Sequence, residues 1–371
     1  MIGSAGALFC ACGNAVCPRS RDLLLHEDAA PYTEPCRCQT AAEVQMLHTP
    51  VCELLRIDHP IVQAGMGPFG SDAVLASAVS NAGALGTLGG AARSLDDLRG
   101  QLRALKDATD RPFAVNFTQP WLQQQPEAFD AVLEIGVPVV SLALGDPGIL
   151  PRRAHDAGAL FIQQVHTVEQ AQLVAEREVD VVIAQGTEAG GFGGTVSLSV
   201  LVPQVVDAVG PIPVLAAGGI ADGRGLAAAL VLGAQGANIG TRFLASAEAS
   251  ISAAWKERIV SAGSTSTVKA TVWDAIFPKP ANGAFDVVPR ALETGFIDRW
   301  QADLPAATAQ MSQLQDEMMA GIRAGRMEQF VPFTGQSVGL ITRIEPAADI
   351  VQRLIADAAA ALAAASAVVS D

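Results

Sequence analysis

Apolar and polar residues alternate in blocks along most of the chain, beginning near Pro60. A short, almost wholly apolar run is followed by a stretch with helical periodicity, and the pair recurs with a period of roughly 25 residues, as in βα units. The apolar runs predict strands at 61–66, 84–88, 113–117, 137–142, 159–165, 179–184, 214–217 and 237–240. The stretches between them predict helices, several opened by Ser, Thr or Asp, such as 72–81, 94–109, 167–178 and 223–232.

This order of elements predicts an α/β fold in which eight parallel strands close into a (β/α)8 TIM barrel. Both faces of such strands are covered, which accounts for their nearly continuous apolar character. The repeat of βα units stops after Arg242, and the following stretch is rich in Pro, Gly and aromatic residues. We interpret residues 263–335 as a lid or accessory segment inserted over the barrel mouth. Residues 46–262 and 336–371 then form the barrel, with a last helix at 346–365.

The first 45 residues differ from the rest because they show neither apolar periodicity nor a signal-peptide pattern. They hold five of the six cysteines, whose spacing fits no common zinc motif or disulfide framework. We predict a leader that is either disordered or a mis-assigned start, with a metal site as the less favoured alternative. The body keeps only Cys52, as expected in a reducing cytoplasmic compartment.

The charge balance narrows the range of partners. A net charge of −14 argues against nucleic acid or an anionic membrane surface, because both attract basic patches. The alanine-rich run at 358–369 is too short to span a bilayer. A small-molecule substrate is therefore the expected partner, and both a monomer and a homodimer are left open.

Glycines gather where neighbouring strands end, at 186–194 and at Gly218 and Gly219, and Gly240 with Thr241 closes the last strand. Glycine backbone N–H groups at the start of a helix can bind an anion. In such barrels, phosphate often binds after the seventh and eighth strands. The other strand ends carry amide and apolar side chains. Strand ends of this kind can position a flat cofactor that itself supplies the chemical reactivity. No spacing of histidines and carboxylates predicts a metal site.

Five blocks, in order, resemble the signatures of the nitronate monooxygenases, formerly called 2-nitropropane dioxygenases. Flavin-dependent enoyl-acyl carrier protein reductases and a group of NADH:quinone reductases are similar. The resemblance covers about residue 46 to the C-terminus. The blocks are Pro60-Ile-Val-Gln-Ala-Gly-Met-Gly67, Val115-Asn-Phe117, Ile183-Ala-Gln-Gly-Thr-Glu-Ala-Gly-Gly191, Ala216-Ala-Gly-Gly-Ile-Ala-Asp-Gly-Arg224 and Ile239-Gly-Thr-Arg-Phe243.

The resemblance implies FMN in the barrel mouth. Gly65 and Met66 would then lie against the isoalloxazine, while Asn116 and Gln185 hydrogen-bond the flavin. The residues that would hold the ribityl phosphate are Gly190, Gly218, Gly219, Asn238, Gly240 and Thr241.

Phe192 departs from this family pattern. The same position usually carries a histidine, the base that removes the α-proton of a neutral nitroalkane, and phenylalanine cannot take a proton. A preformed nitronate needs no base, so its oxidation could survive the change. His166, at the end of the fifth predicted strand, is a candidate substitute.

The resemblance therefore implies an FMN-dependent monooxygenase that converts an alkyl nitronate and O2 to a carbonyl compound and nitrite. A reductase that takes hydride from NAD(P)H and acts on an enoyl thioester or a quinone is the alternative. A barrel isomerase, lyase or nucleotide dehydrogenase, whose phosphate seat holds the substrate, is the rival from another class.

Overall fold

Eight parallel strands form the centre of the computed structural model, which describes residues 47–276 and 285–369. The predicted leader with its cysteines lies outside the described residues, as do residues 277–284 of the predicted lid. In chain order the described strands are β1 Ile61–Gln63, β2 Gly86–Gly89, β3 Phe113–Thr118, β4 Val139–Ala143, β5 Leu160–Val165, β6 Val181–Gln185, β7 Gly191–Gly193, β8 Val214–Ala217, β9 Gly236–Ile239, β10 Thr267–Lys269 and β11 Val288–Leu292.

The barrel strands follow one another in the order β1-β2-β3-β4-β5-β6-β8-β9. β1 pairs in parallel with β9, with Ile61 opposite Ala237, and a bridge between Val62 and Leu85 joins β1 to the second strand. The ring is thus closed, and the predicted TIM barrel is confirmed. β1 ends earlier than predicted, since the Met66 N–H donates to the Ser71 hydroxyl at 2.9 Å instead of to a strand.

Two apolar clusters explain why these strands read as apolar on both faces. One fills the barrel interior with side chains such as Val62, Ile183 and Leu215, and the first helix caps it with Val51 and Leu55. Buried Cys52 belongs to the same cluster. The other cluster packs the outward faces of the strands against the surrounding helices. Burial of both faces is what a parallel barrel requires.

Helices connect the strands, and predicted caps open several of them. The side chains of Asp72, Ser94, Thr167 and Asp222 accept backbone N–H groups in the first turns of the helices that begin at Ala73, Leu95, Val168 and Gly223. Within the described ranges, no helix combines the length and apolar character needed to span a membrane. The helices are α1 Pro50–Leu55, α2 Gly67–Gly70, α3 Ala73–Asn81, α4 Leu95–Ala108, α5 Gln119–Gln124, α6 Glu127–Ile135, α7 Leu150–Asp156, α8 Val168–Ala175, α9 Leu198–Val209, α10 Gly223–Val231, α11 Thr241–Leu244, α12 Ala253–Ser261, α13 Val272–Ile276, α14 Gly295–Gln301, α15 Leu304–Ala309, α16 Met311–Arg323 and α17 Ala347–Ser366, with 3₁₀ turns at Ser264–Ser266, Met327–Gln329 and Gln336–Leu340.

The inserted segment has regular structure that the sequence analysis did not predict. β10 and β11 pair antiparallel, and β11 pairs with β7, which lies in the loop between β6 and α9. This three-stranded sheet joins the insertion to a loop at the barrel mouth. α13 lies between β10 and β11, and α14 to α16 follow β11 within the insertion. α17 then packs on α10 and α3 as the predicted last barrel helix.

Candidate active site

The predicted site residues lie at one end of the barrel, because the carboxyl ends of parallel strands share one face. Met66 follows β1, Asn116 lies in β3, and Gln185 is the last residue of β6. Gly65 also follows β1, Gly190 directly precedes β7, and the remaining positions lie in or directly after β8 and β9: Gly218, Gly219, Asn238, Gly240 and Thr241. The fold therefore brings together ten positions that are far apart in sequence.

Gly65 and Asn116 approach each other so closely that a side chain at residue 65 would not fit. A Cβ atom there would lie 2.3 Å from the Cβ of Asn116 and 2.6 Å from its Oδ1. The Asn116 Nδ2 donates to the Ser141 hydroxyl at 3.2 Å, which ties β3 to β4. Glycine at residue 65 therefore leaves room for the Asn116 side chain at the barrel mouth.

Gly218 and Gly219 form a turn that other residues adopt only with strain. Their φ angles are +106° and +74°, in the left-handed region that favours glycine. A Cβ on Gly219 would come no closer than 3.6 Å to Glu188, and one on Gly240 would lie 3.6 Å from the Met66 Sδ. A Cβ atom at either position would thus make only ordinary van der Waals contacts, and the bare backbone of such a turn can bind an anion.

Several buried polar atoms at the ends of β5 and β6 have no hydrogen-bond partner within the described part of the chain. They include the carboxamide oxygens of Gln163 and Gln185. An unpaired buried polar group costs about 1–3 kcal/mol, so such atoms call for a ligand or water. Their shared location makes these two strand ends the candidate binding site.

His166 is completely buried beneath the loop that follows β7. A Cβ added to Gly194 would lie 2.6 Å from the His166 Cβ, and the ring of Phe285 meets the imidazole edge-on at 6.3 Å. Burial, followed by the nearby charge of Lys269, lowers the pKa of His166 to about 4. The imidazole is thus neutral at pH 7 and covered from solvent, and its catalytic role stays a prediction.

Phe192 is half-buried in β7, opposite Pro289 of β11. Its ring centroid lies 5.5 Å from that of Phe333, which lies 5.1 Å from that of buried Trp273. These three aromatic side chains, here called the aromatic wall, form an apolar surface next to the predicted phosphate loop. None of the three is an acid or base at neutral pH.

Lys269 and Arg290 contact the β6–α9 loop, and the sequence analysis missed both. The Lys269 Nζ donates to the Gly193 carbonyl at 3.1 Å and also to the Gly194 carbonyl. The Arg290 Nε donates to the Thr187 carbonyl at 3.1 Å. Burial, followed by the charge of Arg290, lowers the pKa of Lys269 to about 8. A lone lysine in a stretch without periodicity carries no spacing signal that would have identified it.

Glu188 has a structural contact in the same loop. Its two carboxylate oxygens each accept the Leu198 N–H at 3.1 Å and so cap α9. Within the described ranges no group of His, Cys, Asp and Glu side chains has the arrangement of a metal site. The chemistry offered by these residues is therefore binding through backbone, amide and cationic groups.

An eight-stranded parallel barrel with glycine turns, amide side chains and an aromatic wall at its mouth places the protein in the class of (β/α)8 barrels. The family model described as nitronate monooxygenase matches residues 48–357. The chain belongs to the nitronate monooxygenase family, and it is an oxidoreductase of that family.

Individual relatives differ in the activity that their names state. The chain is 42% identical over 232 residues to (3aS,4S,5R,7aS)-5-hydroxy-7a-methyl-1-oxo-octahydro-1H-indene-4-carboxyl-CoA dehydrogenase of Mycobacterium tuberculosis (strain ATCC 25618 / H37Rv), a match spanning 62% of this chain and 65% of that protein. It is 38% identical over 283 residues to a probable nitronate monooxygenase of Staphylococcus saprophyticus, covering 64% and 78% of the two chains. The structure of FabK from Thermotoga maritima superposes with a TM-score of 0.77 at 35% identity, covering 87% of this chain and 99% of that one.

Proposed function

We propose that the protein is an FMN-dependent oxidoreductase that oxidises alkyl nitronates with O2 to carbonyl compounds and nitrite. The observation that carries this choice is Phe192, a non-ionisable side chain packed into the aromatic wall at the position where the family resemblance places a base. A site without a base suits a substrate that arrives already deprotonated.

The residues at the barrel mouth fit FMN. The unpaired amide oxygen of Gln185 can accept from a flavin N–H group, and Asn116 lies across the mouth from it. Gly219 and Gly240 leave room beside their backbone for a phosphate. The Thr241 hydroxyl accepts the Gly335 N–H at 2.9 Å, which leaves its own O–H as a donor. Gly190, Gly218 and Asn238 complete the proposed phosphate seat, and Gly65 with Met66 lies on the ring side.

FMN, when bound, would supply the electron-transfer chemistry that these side chains lack. The chain's own contribution is to bind and orient an anion. Lys269 and buried Arg290 raise the local positive potential near the β6–α9 loop in a chain whose net charge is −14. The half-buried rings of Phe192 and Phe333 give the alkyl group an apolar contact and exclude water.

Nitrite release tests this proposal. At equal concentration, an alkyl nitronate should yield nitrite at least about 100-fold faster than the matching neutral nitroalkane, since general base catalysis is worth ~10²–10⁴-fold. An enzyme-free sample measures spontaneous nitrite formation. Equal turnover of both forms would show that another group removes the α-proton, and no nitrite from either would reject nitronate oxidation.

A second candidate is a flavin-dependent oxidoreductase that uses NAD(P)H and acts on an enoyl thioester or a quinone. The Mycobacterium tuberculosis relative, named as the dehydrogenase of a carboxyl-CoA, favours a thioester. The aromatic wall would suit an apolar acyl group as well as an alkyl nitronate. NADH or NADPH consumption that depends on an enoyl-CoA or a quinone, without nitrite from nitronates, would select this candidate.

A further inference from the structure

Two cations of the three-stranded sheet formed by β10, β11 and β7, here called the accessory sheet, contact the β6–α9 loop at two points. Arg290 of β11 donates to the Thr187 carbonyl near the start of the loop, and Lys269 of β10 donates to the carbonyls of Gly193, the last residue of β7, and Gly194. Between these anchors lie Gly190, of the proposed phosphate seat, and Phe192, of the aromatic wall. The contacts therefore bracket the part of the loop that faces the site.

Strand register explains how both cations reach the loop from one side. Lys269 pairs with Arg290, and Arg290 pairs with Gly191, so these three residues share one face of the sheet. Gly191 adds no side chain to that face, and its φ of +72° excludes most other residues. Phe192, the next residue, points to the opposite face and packs on Phe333. Lys269 and Arg290 thus contact the loop from one face of the sheet, and Phe192 packs into the aromatic wall on the other face.

Lys269 is the anchor whose charge can change at accessible pH. Arg290, Glu188 and His166 are the charged and titratable groups near its ammonium. Burial and Arg290 favour the neutral amine, whereas Glu188 favours the ammonium, and together they place the Lys269 pKa at about 8. Charged donors make hydrogen bonds roughly twice as strong as neutral ones, so loss of the proton weakens this anchor.

We propose that Lys269 is a positioning residue that fixes residues 190–194 and so sets how firmly the cofactor is held. The effect on the loop stands on the contacts alone, whereas the effect on the cofactor rests on the proposed FMN site. The two halves of the inference therefore need separate readouts.

Hydrogen exchange of the loop is the first readout. Amide exchange in peptides covering residues 187–194 should be roughly 10-fold faster in Lys269→Met than in the wild type, since a hydrogen bond to a charged group is worth about that factor. Lys269→Arg should restore wild-type protection. Lys106→Met is the matched control, because the Lys106 Nζ also donates to a carbonyl, that of Ile135 at 2.9 Å, between helices on the barrel wall. Unchanged exchange in Lys269→Met would overturn the inference.

Release of flavin from the holoenzyme, followed by recovery of flavin fluorescence after dilution, is the second readout. Lys269→Met should release FMN roughly 10-fold faster, and Lys269→Arg and Lys106→Met should match the wild type. Faster loop exchange with unchanged flavin release would overturn the cofactor half alone. A wild-type protein that binds no FMN would reject the proposed function and leave the exchange result standing.

The pH dependence distinguishes positioning from general loss of structure. Flavin release and loop exchange, corrected for intrinsic rates, should rise in the wild type as the pH passes about 8, while Lys269→Arg stays flat. This comparison decides the matter even if Lys269→Met fails to fold. A wild-type loop whose protection does not change between neutral and alkaline pH would contradict the proposed role of the ammonium.

Discussion

Replacement of Gly219 by alanine separates the cost of backbone strain from loss of the proposed phosphate seat. The φ of Gly219 is +74°, so alanine there costs roughly 1–2 kcal/mol. Gly136, at the end of α6, has a φ of +76° and open space around a Cβ, and it precedes β4 at the opposite end of the barrel. Gly136→Ala therefore carries the same strain without touching the site.

Both variants should lower the melting temperature by a similar few degrees, because about 1 kcal/mol corresponds to about 2–4 °C in a domain of this type. Only Gly219→Ala should weaken FMN binding, since a methyl group would occupy the space beside the backbone that faces the phosphate. Loss of one charge-assisted hydrogen bond predicts an FMN Kd roughly 10- to 100-fold higher, measured by quenching of flavin fluorescence. Wild-type FMN affinity in Gly219→Ala, with the strain penalty present, would refute the assigned seat.

Three further outcomes are expected. Phe192→His should raise nitrite release from neutral nitroalkanes by up to about 100-fold over the wild type, and no gain would show that residue 192 does not face the α-carbon. His166→Leu should flatten the acid limb of stability measured by thermal unfolding, because the folded pKa of about 4 lies below the unfolded value of 6.5. As the pH falls, the unfolded state therefore takes up the proton before the folded state does. The His166 contribution to the free energy of unfolding is fully present above pH 6.5 and falls by up to ~3 kcal/mol as the pH approaches 4. This loss should be absent in His166→Leu. Equal acid sensitivity in both proteins would contradict this. Deletion of residues 1–45 should leave the melting temperature and flavin content unchanged, since the family match begins at residue 48, and a marked drop would assign the leader a structural role.

The barrel could be predicted because the residue patterns that determine its strands and helices are local in sequence. Strands covered on both faces must be apolar, as in β6, and helices that start at a polar cap show it, as at Asp72 and Asp222. The turn at Gly218 and Gly219 could also be predicted from sequence, since left-handed backbone favours glycine. These features depend on residues that are neighbours along the chain.

The accessory sheet could not be predicted because its stability comes from partners far away in sequence. β7 contains Gly191, Phe192 and Gly193, a composition with little strand propensity, and it is a strand only through its pairing with β11. β11 itself contains Pro289, which argues against a strand. Lys269 lies beside Arg290 and the loop carbonyls because of the strand register, which local sequence does not determine. The burial of His166 likewise depends on Gly194 and Phe285 above it.

Anaerobic mixing of the purified flavin-loaded protein with possible reductants distinguishes nitronate oxidation from an NAD(P)H-dependent reaction. Propionate 3-nitronate should bleach the flavin absorbance within the enzyme's turnover time, whereas NADH and NADPH should leave it unchanged. Bleaching by NADH or NADPH and not by the nitronate would contradict nitronate oxidation and select the reductase. A colourless protein that also fails to take up added FMN would contradict the proposed FMN site and the proposed oxidation together.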